Sequence, residues 1–126
     1  MARFDLTGQV ALIAGASRGI GEAIARAMAE QGAHVIVSGR RAEPLETVVA
    51  AIKEAGGTAR ALTLDVANSA EVRAAAEQIG TVDLLVASAG LNTPDRALET
   101  LSDDAWDHVI NINLNGVFYP CRAVLP

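Results

Sequence analysis

The sequence predicts an α/β fold on a parallel sheet, and three observations carry that prediction. Short runs of β-branched residues and leucine alternate four times with longer segments whose apolar residues recur every three or four positions. Each short run is apolar at nearly every position, as in a strand covered on both faces. The first run breaks into a glycine-rich turn, Gly15-Ala16-Ser17-Arg18-Gly19-Ile20-Gly21, directly ahead of an amphipathic segment.

Taken in order, the strands are expected at Gln9 to Ala14, His34 to Ser38, Ala59 to Asp65 and Val82 to Ser88. Between them, Ile20, Ile24, Ala27 and Met28 line one face of a first helix. Leu45, Val48, Val49 and Ile52 do the same for a second, and Val72, Ala75, Ala76 and Ile79 for a third. Local signals agree with the period. Pro44 suits the first turn of the second helix, Gly56-Gly57 ends it, and Asn68 with Glu71 three residues on makes a cap-like start for the third. Ser102 followed by Asp103 and Asp104 opens a fourth helix running towards Arg122, with acids where the helix dipole favours them. Trp106, Val109, Ile110, Leu114, Val117 and Cys121 give it a broad apolar face.

Composition bounds the function. A chain of 126 residues, 51% apolar, holds one core and no second domain. Ten basic against fifteen acidic residues leave a net charge of -5 and no basic field for nucleic acid or an anionic membrane. Nowhere does an apolar run reach the roughly eighteen residues of a membrane span. Cys121 is the single cysteine, and Met1 to Gln9 lacks the basic and long apolar regions of a signal peptide, so a cytoplasmic, soluble protein is expected. His34 and His108 have no cysteine or carboxylate at ligand spacing, and no metal is expected.

The glycine turn carries the chemistry. A strand that turns sharply, lets backbone amides approach a phosphate and starts a helix close against the sheet tolerates no Cβ at Gly15, Gly19 or Gly21. The helix start then offers unpaired N–H groups and a partial positive charge to a pyrophosphate. Glycines that merely close a tight turn are the plainer alternative, which the position at the first strand-to-helix junction disfavours. The expected frame is therefore Rossmann-like, doubly wound, with strand order 3-2-1-4, ending after the fourth βα unit.

The second strand chooses the nucleotide. It ends Val37-Ser38-Gly39-Arg40-Arg41, with no carboxylate to take a ribose hydroxyl, since Glu43 falls in the following helix. Arg40, Arg41 and Arg18 are free to pair with a 2′-phosphate, which favours NADP over NAD. The rival reading is a solvated basic loop.

At these residues the chain resembles the short-chain dehydrogenase/reductase family, over its whole length. The turn from Gly15 to Gly21, including Ser17, Arg18 and Ile20, is similar to the family's cofactor signature, and Asp65-Val66 to its adenine-recognition pair. Ala89-Gly90 is similar to the end of its Asn-Asn-Ala-Gly motif, and Trp106 to Leu114 to its fourth-helix signature. The resemblance implies an NADP(H) site and carbonyl or alcohol redox chemistry. Arg18 and Arg40 would hold the 2′-phosphate, Asp65 and Val66 the adenine, and Gly90 the nicotinamide-side ribose. Asn113 would correspond to the helix asparagine that helps hold a water in the proton relay. The sequence departs from the pattern at Ala14, where threonine is usual, and at Ala87 and Ser88, where asparagines are usual. If that threonine and the first asparagine support one another across adjacent strands, losing both leaves no buried partner unsatisfied.

Asn111, Asn113 and Asn115 are poor helix formers, and Asn113, near the apolar face, needs partners. Solvation or capping is the expected role for Asn111 and Asn115. The family's serine, tyrosine and lysine find no match: Tyr119 is followed four residues later by Ala123, and Lys53 lies in the second helix. The expectation is thus a dinucleotide-binding half-domain over residues 1–126, inactive by itself, lacking the C-terminal catalytic part of an NADP(H)-dependent oxidoreductase acting on a small carbonyl or alcohol. A non-catalytic nucleotide-binding or interaction module is the alternative. An open sheet edge and the exposed fourth-helix face predict a homo-oligomer.

Overall fold

In the computed structural model, which describes residues 4–126, four parallel strands stand in the order β3-β2-β1-β4. The strands are β1 (Val10–Ala14), β2 (His34–Gly39), β3 (Thr58–Thr63) and β4 (Leu84–Ala87). Helices α1 (Gly19–Glu30), α2 (Ala42–Glu54) and α3 (Ser69–Ile79) cross between them, and α4 (Asp103–Ile110) and α5 (Gly116–Val124) follow the last strand. The doubly wound, Rossmann-like order expected from the sequence is the one observed. The reading of Met1 to Gln9 extends onto residues 1–3, which lie outside the described residues.

Side chains alternate across the sheet, and the register sorts them into two cores. Ala59, Val35, Ala11 and Leu84 form one row across the four strands, and Ala61, Val37, Ile13 and Val86 the next. Both rows pack with α1 and α2. The opposite face gathers Ala14, Leu62, Leu64 and Val66 with Val72 and Ala75 of α3 and Tyr119 and Ala123 of α5. The start of the sheet is pinned where Asp83 bonds Val10 twice, its carboxylate accepting from the Val10 N–H at 2.8 Å and its own N–H donating to the Val10 carbonyl at 2.9 Å.

Several boundaries move. β3 begins one residue earlier than expected and ends at Thr63, so Leu64 and Asp65 already turn away over the sheet edge. β4 is shorter than expected, Leu84–Ala87, because Asp83 is engaged with Val10 and Ser88 begins the departing loop. The apolar face of α2 is as expected, with Leu45, Val48, Val49 and Ile52 all buried. That of α1 is not. Gly21, Ala25 and Ala29 are its buried residues, while Ile20 is 75% exposed and Ala27 lies on the surface. Small residues let this helix approach the sheet closely, and the larger ones are left at the flank.

The fourth helix differs most. A single wide π turn, Asn111–Asn115, separates α4 from α5. The stripe that packs is Ile112, Gly116 and Pro120, each buried, whereas Trp106, Leu114, Val117 and Cys121 of the expected apolar face are exposed, as is Phe118. Close approach again explains the choice, since a Cβ on Gly116 would stand 2.7 Å from Val66 Cγ2. Among the described residues no helix is long and apolar enough to cross a membrane.

Candidate functional site

The carboxyl ends of β1, β2, β3 and β4 open into a cleft of about 710 Å³. Ligands of open α/β sheets sit outside this edge, at the point where the strand order reverses. Here that point is the carboxyl end of β1, between β2 and β4.

The turn after β1 forms the cleft's floor. Gly15 has φ +75°, and a Cβ there would lie 2.6 Å from Ala89 Cα, so the β1 and β4 loops touch backbone to backbone. A Cβ on Gly21 would fall on the Gly15 carbonyl oxygen. Gly19, at φ +60°, faces open space. Two of the glycines are therefore demanded by packing and the third by backbone conformation. Arg18 occupies the N-cap of α1 with no side-chain cap bond, which leaves the first-turn amides without a partner inside the helix. Those amides and the dipole make the helix start a site for an anion. Ser17, Arg18, Gly19 and Ile20 all line the cleft beside it.

Basic residues form one rim. Gly39, Arg40 and Arg41 line the cleft at the end of β2, and Arg18 lines it from the glycine turn. All three arginines are exposed, and among the described residues none of their guanidiniums forms an ion pair. Glu43 lies in the first turn of α2.

A second wall comes from β3. Leu64, Asp65 and Val66 line it, and Asp65 Oδ1 accepts from the Ala67 N–H at 3.0 Å. Asn68 caps α3 by accepting from the Glu71 N–H at 3.1 Å, as the spacing of the two residues suggests. Glu71 reaches further back than a capping box requires: its Oε1 accepts from the Asp65 N–H at 3.1 Å, so the cap also braces this wall.

Ser88, Ala89, Gly90 and Leu91 complete the cleft on the β4 side. Asn113 does not line it but holds it: Oδ1 accepts from the Leu91 N–H at 2.9 Å and Nδ2 donates to the Leu91 carbonyl at 2.8 Å. Asn113, expected near the apolar face and in need of partners, is exposed and finds them on the loop backbone. Asn111 and Asn115, expected to be solvated or capping, bond each other across the π turn at 2.9 Å. That turn also brings Ile112 to the cleft, a contact that hydrophobic spacing gave no reason to single out. Ala14 and Ala87 are direct register partners, so two of the three positions that depart from the family pattern stand side by side as methyl groups.

No tyrosine–lysine pair forms among the described residues. Tyr119 stacks near Phe118 and Arg122 on α5, and Lys53 sits in the last turn of α2. Nor do three or more His, Cys, Asp or Glu side chains gather as a metal site among the described residues.

The family model for short chain dehydrogenases matches residues 9–126. The chain belongs to that family. It is 40% identical to a 3β-hydroxysteroid dehydrogenase of Mediterraneibacter gnavus over 126 residues, covering 97% of this chain and 45% of that protein. Among solved structures, a metagenomic short-chain oxidoreductase in complex with NADP superposes with TM-score 0.89 at 38% identity, covering 93% of this chain and 55% of the other. A gluconate 5-dehydrogenase from Burkholderia cenocepacia in complex with NADP and tartrate superposes at 0.88 with 37% identity, covering 98% and 49%. The chain thus spans about half the length of the curated relatives it matches.

Proposed function

We propose that this short-chain dehydrogenase chain is the dinucleotide-binding half of an oxidoreductase that uses NADP(H) on a carbonyl or alcohol. One observation carries the reading: an uncapped helix start and three unpaired arginines share a cleft whose β2 corner holds no carboxylate. The NADP found in two similar structures supports it. Gly15, Gly19, Gly21 and their neighbours Ser17 and Ile20 would take the pyrophosphate, and Arg18 and Arg40 the 2′-phosphate. Asp65 and Val66 would face the adenine, and Ala89 and Gly90 the nicotinamide side. The bound nucleotide would supply a hydride donor or acceptor. Asn113, by holding both polar groups of the Leu91 backbone, keeps the loop after β4 in place beside that end of the cleft. Residues 1–126 form the binding half-domain, and without a tyrosine–lysine pair they are expected to show no turnover.

Titration of the chain with NADPH and NADH tests the cofactor. NADPH is expected to bind at least tenfold more tightly, about 1.4 kcal/mol, and the reverse preference would overturn the arginine assignment.

The exposed side of α4 and α5 supports self-association of two copies. Trp106, Leu114 and Phe118 are 56%, 61% and 52% exposed, Asp103, Asp104 and Asp107 lie towards one end, and Arg122 at the other. Two such faces laid antiparallel would set acids against Arg122. Sedimentation should find a dimer that Phe118→Glu converts to monomer; a monomeric parent at all concentrations would refute it. The composition and single cysteine remain consistent with the proposed cytoplasmic setting.

A further inference from the structure

We propose that Ser38 is a positioning residue whose buried hydroxyl ties the glycine turn to the arginine-bearing end of β2, and so sets the spacing on which discrimination between NADP(H) and NAD(H) depends. The inference rests on reading the cleft as an NADP(H) site. Ser38 is fully buried, and it is the buried polar side chain of the described core.

Three bonds converge on this one residue. Its Oγ donates to the Ile13 carbonyl at 3.0 Å. Its own carbonyl accepts from the N–H groups of both Gly15 and Ala16, each at 3.0 Å. The next residue continues the series, because the Gly39 carbonyl accepts from the Leu64 N–H at 2.8 Å. Residues 38 and 39 therefore link the departing ends of β1, β2 and β3, and Arg40 follows at once.

Backbone bonds alone would form with any residue at position 38. The hydroxyl adds a fixed orientation, because it locks the same residue to Ile13 of β1, two residues before the turn begins at Gly15. On the other flank of β1 no side chain can do this, since Ala14 pairs in register with Ser38 on one side and with the apolar Ala87 on the other. Water has no access to a site of zero exposure, so nothing replaces the bond when the hydroxyl is removed. The amide cradle at Gly15 to Gly21 and the guanidinium of Arg40 then lose their common anchor. A ligand bound only by the cradle tolerates such slack better than one that must reach cradle and arginine together.

The test compares Ser38→Ala with Ile52→Val, a core truncation at the opposite end of α2 that serves as stability control. In the unliganded chain, amide exchange at Gly15 and Ala16 should quicken about tenfold in Ser38→Ala, the change expected for one lost hydrogen bond. The NADPH-to-NADH affinity ratio should fall by a comparable factor, and Ile52→Val should move neither quantity. Should Ser38→Ala fail to fold, Ser38→Cys, similar in shape but a weaker donor, is expected to move both quantities in the same direction. Unchanged exchange at Gly15 and Ala16 together with an unchanged ratio in a folded variant would overturn the proposal. An unsubstituted chain without NADPH preference would overturn the cofactor reading and the specificity role with it, while the exchange measurement would still judge the tie itself.

Discussion

Gly15→Ala is expected to lower stability by roughly 2–5 kcal/mol and to abolish measurable dinucleotide binding. The added methyl would stand 2.6 Å from both Cα and N of Ala89, backbone atoms that no rotamer change can withdraw. Overpacking of this kind costs about 1–3 kcal/mol, and a left-handed conformation costs an L-residue about 1–2 kcal/mol more. Relief can come only by separating the β1 turn from the β4 loop, which widens the cleft's floor. Gly19→Ala is the informative companion, because its φ of +60° brings the conformational strain without any contact. Denaturant unfolding should place its loss near 1 kcal/mol. If Gly15→Ala unfolds no more easily than Gly19→Ala, the backbone contact with Ala89 is not what demands glycine.

The second large effect concerns the rim. The double variant Arg18→Ala/Arg40→Ala should weaken NADPH about a hundredfold while leaving NADH within about threefold, from two charge-assisted bonds of about 1.5 kcal/mol each, the low end for such bonds, minus solvent screening. Both side chains are exposed and unpaired, so their removal orphans no internal partner and should leave unfolding unchanged. Isothermal titration at two salt concentrations checks it. Equal loss for both nucleotides would mean that the arginines steer anions in general and do not read the 2′ position.

Strand order and the place of the cleft were legible because both follow from patterns that sequence carries directly. Alternating apolar runs and helical periods imply βαβ units, and the right-handed crossover then leaves little freedom in how they stack. The glycines of the turn were legible for a related reason, since the demand is for the absence of a side chain. What spacing misjudged were the inward faces of α1 and of the helix pair after β4. Ile20 was read on the inward face of α1, yet Gly21, Ala25 and Ala29 are that helix's buried residues, and after β4 the buried stripe is Ile112, Gly116 and Pro120. Hydrophobicity ranks large side chains first, whereas a helix drawn close to a sheet selects small ones. The partners of Asn113, Glu71 and Ser38 were hidden because each bonds a backbone group, and backbone atoms leave no trace in residue identity. Ser38 in particular read as one more position in a strand.

The bare N-cap of α1 has a kinetic corollary. Because Arg18 supplies no side-chain acceptor, the donors at the helix start are already turned outward before any visitor arrives. An incoming diphosphate would find no side-chain cap to dismantle there. Under the proposed dinucleotide reading, encounter at this spot is expected to depend on diffusion and on the guanidiniums' pull.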